Sequence, residues 1–374
     1  MRIPRLRRAP RVLAGLLALP LLLPLATAPA DAASPPVPAV AADPGRTATV
    51  MTRNLYLGAE LTDIIDALSS GSQSAVVIAA TSTWQTVQDS HPAERMAAVA
   101  DEIVAADPAA VGLQEVSTWT TLPLDPRTLQ PAGAPTVRYD FLQLLLDALA
   151  ARGVSYHAVD GATSTNFTSA FIPVLVGGAP SQAVKLVDRD VILVRDGITA
   201  TNAHHGNFQT VLQPPAAPLK VDRGWGSADL STRQATFRLV NAHTEAWGPE
   251  QIRVGEVLEL FAAQDQIAAQ TGALPTVYVG DYNSAAPSGG GYQALRTRLS
   301  DLGGTRPTCC QEGTLTDPVP AFDTRIDLVL GTAGVRGISS TRTGTQPVDL
   351  PGDTWWASDH AGVVSRLVFP ASGR

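Results

Sequence analysis

"SDHAGVVSRLVF", residues 358–369, joins two kinds of chemistry in one short stretch. From Gly362 onward, β-branched and apolar residues read as a buried strand. Directly before them stand Asp359 and His360, groups that are rarely buried unless paired or bound to a metal. An acid and an imidazole at the mouth of an apolar strand are either a solvated loop end or part of a site. The rest of the chain decides between the two.

The pattern recurs. "TATVMTRNLYLG" (47–58) reads as a strand ending at Asn54, and "AAVGLQEV" (109–116) as a buried strand ending at Glu115. "RQATFRLVNAHTEAW" (233–247) reads as a strand ending near His243, and "PTVYVGDYNS" (275–284) as one that stops at Asp281, with Asn283 just beyond. "RIDLVLG" (325–331) carries Asp327 inside a strand pattern, where acids are disfavoured. Each residue alone has an ordinary explanation. Asn54, Asp281 and Asn283 suit turns or caps, His243 a hydrogen-bonded structural histidine, and Asp327 an ion pair with Arg325. Taken together, polar groups on successive strand ends are what one rim of a sheet would collect from distant parts of the chain.

Between these strands, 92–108 reads as an amphipathic helix stopped by Pro108, and "YDFLQLLLDALAARG" (139–153) as a helix with a glycine stop. Residues 249–272 read as a helix that starts at a proline and ends at a glycine. "DRDVILVRDG" (188–197) reads as a strand and turn. The stretches 117–138, 160–186 and 201–230 read as long loops, which in compact domains are often functional.

The first 32 residues combine five arginines with the apolar run "VLAGLLALPLLLPLATA" and small residues at 30–32, the pattern of a secretory signal peptide. Residues 33–46, rich in Pro and Ala, are expected to be a disordered leader, and 47–371 a single catalytic domain. No other segment reaches the ~18 uninterrupted apolar residues of a membrane span. The expectation is a secreted protein without a transmembrane segment, a monomer without a protein partner. Without residues 1–32, which hold five arginines and Asp31, the formal charge becomes 22 minus 33, or −11. Such a chain has no global attraction to phosphate backbones, which weakens a nucleic-acid reading without excluding it. The two cysteines, Cys309 and Cys310, are adjacent and cannot staple distant segments; a strained vicinal disulfide is their ordinary reading.

The mixture of polar types suits phosphoester hydrolysis. Hard divalent cations such as Mg²⁺ take a few carboxylates together with water and phosphate oxygens. Hydrolysis needs an activated water, charge relief at phosphorus and help for the leaving oxygen. A histidine oriented by an aspartate serves as acid, base or phosphate ligand.

"TRNLYLG", "GLQEV", "NAHTE", "GDYNS", "RIDLVL" and "SDHAGV", in this order over about residues 48 to 369, resemble the endonuclease/exonuclease/phosphatase superfamily. The resemblance implies an α/β fold, a four-layer α-β-β-α sandwich of two mixed, mainly antiparallel sheets packed face to face. It implies metal binding by Glu115, Asn54 and Asp359, with Mg²⁺ as the expected ion and Mn²⁺ or Ca²⁺ as alternatives. It implies that His360 contacts phosphate with Asp327 as its carboxylate partner. Asp281 would align or deprotonate water or serve the leaving group, and Asn283 would donate to a phosphate oxygen. His243 matches the histidine of the family's "N-x-H-L" strand end, although Thr244 follows here instead of leucine.

The implied substrate is a phosphate ester: nucleic acid, phospholipid or a small phosphorylated molecule. A nuclease would line a groove with arginines, for which Arg189, Arg195, Arg223 and Arg233 are candidates. A phospholipase would carry exposed aromatics, for which Trp355 and Trp356 are candidates. The alternative to an enzyme is a non-catalytic binding module that retains the fold.

Overall fold

The structure is a computed structural model that describes residues 46–212, 221–353 and 356–370. The expected signal peptide, the leader up to residue 45 and Trp355 lie outside these residues. In its first half the chain runs β1 (Thr47–Asn54), α1 (Thr62–Ser69), α2 (Gln73–Asp89), α3 (Pro92–Ala106), β2 (Ala110–Gln114), β3 (Thr118–Pro123), β4 (Thr136–Asp140), α4 (Phe141–Ala151), β5 (Tyr156–Ala158), β6 (Ser164–Thr168), β7 (Ile172–Val176) and β8 (Ala179–Arg195). The second half runs β9 (Thr199–Asn207), β10 (Gly224–Ser231), β11 (Thr236–His243), α5 (Glu250–Thr271), β12 (Thr276–Asp281), α6 (Gly290–Arg296), β13 (Ser300–Asp301), β14 (Asp327–Gly331), β15 (Arg336–Thr343) and β16 (Gly362–Val368). None of the described helices is long and apolar enough to cross a membrane.

The described strands form two mixed sheets. One has the order β15-β16-β1-β2-β8-β3-β4, with β5, β6 and β7 also paired to β8; the other has the order β13-β14-β12-β11-β10-β9. Only β1–β2 and β11–β12 pair in parallel; the other described pairs are antiparallel.

Successive strand residues point to opposite faces, so a strand buried on both sides feeds two cores. Val50, Ile192 and Val194 meet Leu230, Leu239, Val277, Val279 and Val329 in the core between the sheets. Their neighbours Met51 and Leu193 point the other way and pack with Val99 and Ile103 of α3 and Leu145 of α4. On the far side, Val240 and Tyr278 pack with Val257, Leu260 and Phe261 of α5 and Leu295 of α6. These three apolar interfaces separate the four layers of the expected sandwich.

Asn241 ties the two sheets together at their centre. Its amide nitrogen donates to the Leu113 carbonyl at 2.9 Å, and its carbonyl accepts from Gln114 Nε2 at 2.6 Å. The sheets approach so closely here that a Cβ on Gly112 would meet Asn241 Oδ1 and Val279 Cγ2, both at 2.5 Å.

The three stretches read as long loops each contain strands: β3 and the start of β4, then β6, β7 and the start of β8, then most of β9 and β10, while 124–135 remains outside the named strands. The 17-residue β8 supplies a continuous edge against which β3, β6 and β7 pair, so tertiary pairing overrides a weak local pattern. Three helices, α1, α2 and α6, had no counterpart in the sequence reading. The β-branched residues of α2 lower its helix propensity. Burial of Ala80, Trp84 and Val87, and a cap from Ser72 to Ala75 N at 3.3 Å, offset that.

Candidate active site

Strand register assembles the site. His243 on β11 is the parallel partner of Asp281 on β12, and Asp281 is the antiparallel partner of Asp327 on β14. Three polar residues thus stand side by side on one rim of the six-stranded sheet. In the facing sheet, Asn54 ends β1 opposite Gln114, with Glu115 next in the chain, while Asp359 and His360 precede β16.

Asp281 is the hub. Its Oδ2 accepts from Asn54 Nδ2 at 3.1 Å and lies 3.7 Å from Nε2 of both His243 and His360. Asp327 Oδ2 lies 2.9 Å from His360 Nδ1. The alternative partner for Asp327 falls away, because Arg325 is bound to Asp301 at 2.6 Å. With Nδ1 engaged, His360 turns Nε2 toward Asp281 and toward Cys310 Sγ at 3.9 Å. Cys309 and Cys310 are joined as a disulfide. Their loop is laced to the histidine segment by Gln311 N to Asp359 O and Ala361 N to Thr308 O, both 2.7 Å. Thr308 Oγ1 also accepts from Asp327 N at 3.1 Å.

The two histidines sit in opposite electrostatic settings. Burial works against a charged His360 ring, but Asp327, Asp359 and Asp281 outweigh it and hold its pKa well above the ordinary value. Burial and then the Arg223 guanidinium push His243 down to about 4. The surroundings thus favour the charged form of His360 and the neutral form of His243. Among the acids, burial followed by the Asp359 charge raises Glu115. Burial lifts Asp359 to about 6, against the pull of His360.

Three residues at the rim take left-handed backbone conformations that side chains rarely adopt: Tyr56 (φ 59°), Glu115 (φ 57°) and Asn283 (φ 44°). Local bonds hold them. Tyr56 N donates to Asn54 Oδ1 at 2.8 Å, and Leu57 N to Glu115 Oε2 at 2.7 Å. Asn283 N donates to Asp281 Oδ1 and its side-chain nitrogen to Thr244 O, both at 2.9 Å. Asn283 thus has one amide hydrogen engaged within the protein.

Several residues at the site have no counterpart in the sequence reading. Arg95, fully buried, donates to the carbonyls of Leu55, Tyr56 and Ala357, tying the segment after β1 to the one that leads into Asp359. Arg53 bonds the His360 carbonyl and Glu102. Asp188 and Asp190 are buried beside Asn166 and Ser164, and Asp190 Oδ1 lies 3.4 Å from His243 Nδ1. Burial raises Asp190 to about 7. Acids alternating in the apolar strand "DRDVILV" are the signal that singled out Asp327, and it applies equally to this pair.

The four candidate arginines do not line one groove. Arg189 is bound to Asp140 and Arg195 to Asp107. Arg233 sits in the turn before β11, at the opposite end from His243. Arg223 alone reaches the site, its Nη1 lying 3.0 Å from His243 Nε2. Trp356 is not an exposed aromatic either. It is 1% exposed, donates to Asp317 O at 2.6 Å and packs with Tyr56, Leu315 and Phe322.

The donor set suits a hard cation. Glu115 and Asp359 are carboxylates whose charges face each other, and Asp327 Oδ1 is buried without a hydrogen-bond partner. Asp281, Asp327 and His360 bring donor atoms within 4.8 Å of one another. The sulfurs also near His360 are bonded to each other, which removes thiolate ligation.

Residues 85–360 match the model of the family described as Endonuclease/Exonuclease/phosphatase. No curated protein matches the sequence. Among solved structures, the chain is similar to a mannosyl-6-phosphatase of Bacteroides thetaiotaomicron, with 17% identity over 86% of this chain and 100% of that one and a TM-score of 0.53. It is also similar to an endonuclease/exonuclease/phosphatase family protein of the same organism, with 16% identity over 87% of this chain and 95% of that one and a TM-score of 0.54. The family match begins after Asn54, which the fold nevertheless brings against Asp281.

Proposed function

The chain belongs to the endonuclease/exonuclease/phosphatase family of phosphoester-hydrolysing enzymes, and on that premise we propose that it is an exported, divalent-metal-dependent hydrolase that delivers water to phosphorus at the rim formed by Asp281, Asp327 and His360. The observation that carries the reading is the 2.9 Å pair between Asp327 and a histidine held in its charged form. An imidazolium with Nε2 directed into the site donates to a phosphoryl oxygen and stabilises the charge that builds there.

Asp281 is the acceptor for a proton from the attacking water. Its Oδ2 is oriented by Asn54 and lies within 3.7 Å of both imidazoles. Both polar atoms of Asn54 have partners within the protein. Its Nδ2 sets Asp281, while its Oδ1, which accepts a single bond, keeps a lone pair for the ion beside Glu115 and Asp359. Mg²⁺ is the ion that oxygen set favours, and when bound it supplies charge neutralisation at the phosphate and lowers the pKa of bound water. Neutral His243, against Asp281 and Arg223, is a hydrogen-bonding group and not a second cation. Asn283 offers its remaining amide hydrogen to a phosphate oxygen. A non-catalytic binding module is disfavoured, because every acid and the final histidine of the implied site are present.

Export rests on residues 1–32, with their basic start, apolar run and small residues. Purified protein lacking that segment would be assayed with DNA, RNA, sphingomyelin and simple aryl phosphate mono- and diesters. Excess EDTA should abolish hydrolysis and Mg²⁺ or Mn²⁺ restore it. Undiminished turnover in chelator, with no metal in the sample, would contradict the reading.

A further inference from the structure

A groove of about 470 Å³ runs along the open edge of the sandwich between residues 303–306 on one side and Ser340, Thr341, Arg342 and Thr345 on the other. The two walls close to 3.6 Å between a Cβ position on Gly304 and Ser340 Oγ. Its lining is glycine, hydroxyl side chains and two arginines, Arg306 and Arg342, with no carboxylate. Asp301, the acid nearest in sequence to that wall, is bound to Arg325 at 2.6 Å and Tyr292 at 2.9 Å. No described carboxylate forms an ion pair with either Arg306 or Arg342. Burial and the neighbouring Arg306 charge lower the pKa of Arg342. In a chain of net charge −7, two facing cations without a counter-charge are a local exception.

The groove is joined to the catalytic rim through bonded contacts. Arg342 donates to the Pro307 carbonyl and lies over the Phe322 ring, 5.7 Å from its centroid, so its guanidinium is held in place. The next residue, Thr308, accepts from the Asp327 backbone and bonds Ala361, directly after His360. Across the sheet, Arg342 pairs with Val363, three residues past His360. A second cationic groove, lined by Arg46 and Arg233, lies at the opposite end of β11 from His243 and has no such link.

We propose that the Arg306–Arg342 groove is an anion subsite that binds a second phosphate group of the substrate, apart from the one hydrolysed at His360. This rests on the hydrolase reading above and deepens it. A planar guanidinium offers paired donors that match phosphate oxygens, hydroxyl donors surround it, and no internal acid competes. The substrate class that follows is a phosphoester with at least two phosphates, and not a neutral or zwitterionic monophosphate.

Two arms test this on the protein lacking residues 1–32. In the first, calorimetry in EDTA measures binding of inorganic pyrophosphate, so no turnover is needed. Arg306→Ala/Arg342→Ala should weaken binding about tenfold or more, the loss of at least one charge-assisted contact. Arg233→Gln, in the remote groove, should not. Because Arg342 also bonds Pro307, exposed Arg306→Gln is the second variant, and it should lower affinity with an unchanged circular dichroism spectrum. In the second arm, kcat/KM is compared for thymidine 5′-(p-nitrophenyl phosphate) and its 3′-phosphorylated counterpart. The wild type should favour the compound with two phosphates through KM, and the double variant should bring the ratio of the two toward one. Equal pyrophosphate binding by wild type and both groove variants, or equal loss in Arg233→Gln, would overturn the proposal. So would a wild-type ratio near one. If neither these compounds nor any ester of the panel above is hydrolysed while pyrophosphate binding still depends on Arg306, the hydrolase reading fails and the anion site stands.

Discussion

His360 Nδ1 lies 2.9 Å from Asp327 Oδ2, although Asp327 opens a strand of the six-stranded sheet and His360 precedes a strand of the other. The contact crosses between the two sheets at their shared rim, so the fold itself brings the charge pair together. Its electrostatic effect is large, because both side chains are almost fully withdrawn from water.

That relationship fixes the sign of a pH effect. The Asp327 charge helps hold His360 above its ordinary pKa, so Asp327→Asn should lower it. If protonated His360 is needed, kcat/KM falls as pH rises through the His360 pKa. The alkaline limb of the profile should therefore lie at lower pH in Asp327→Asn than in the wild type. A limb that stays in place would mean that another group sets it.

Glu115 is raised by burial and by Asp359, so its ionised form is unfavourable in the folded, metal-free protein above the ordinary carboxylate pKa. Glu115→Gln should lose about a hundredfold or more in kcat/KM. Its urea midpoint in EDTA at pH 7 should be unchanged or higher. A large loss of stability would instead assign Glu115 a role in holding the fold.

Asn241→Ala should act on stability. It removes the acceptor of Gln114 Nε2 and the donor that serves the Leu113 and Val191 carbonyls between the sheets. The expected cost is roughly 2–5 kcal/mol in urea unfolding. A cost below about 0.5 kcal/mol, the range of an ordinary surface change, would show that water or neighbouring groups replace those bonds.

The rim was legible in the sequence because largely apolar strand stretches meet acids, amides or a histidine at their ends. Asn54, Glu115, His243, Asp281 and Asp327 stand out against Val, Leu and Ile, and strand register turns that contrast into adjacency. Helices bounded by Pro92 and Gly272 were legible for a similar local reason, since those residues start and stop helices by their own backbone limits. What was not legible depends on partners far along the chain. β9, with the sequence "TATNAHHGN", has no apolar alternation and is a strand because β10 pairs with it. Arg95 lies on a helix face that looks amphipathic, and only the fold shows that its charge is satisfied by backbone carbonyls from β1's end and Ala357. The pairing of Arg325 with Asp301 and not Asp327 is likewise a matter of geometry that spacing does not reveal.

The central claim is that Asp327 and His360 act as one unit, and a double-mutant cycle on kcat/KM at pH 7 tests it most directly. Asp327→Asn and His360→Ala are compared with the double variant, with folding checked by circular dichroism. Residues that work through one another lose rate non-additively. Each single change should cost well over tenfold, more than about 1.4 kcal/mol of barrier, and the double variant should cost little more than the worse single. If the two losses multiply, or if neither exceeds tenfold, Asp327 does not act through His360 and the account of this site is wrong.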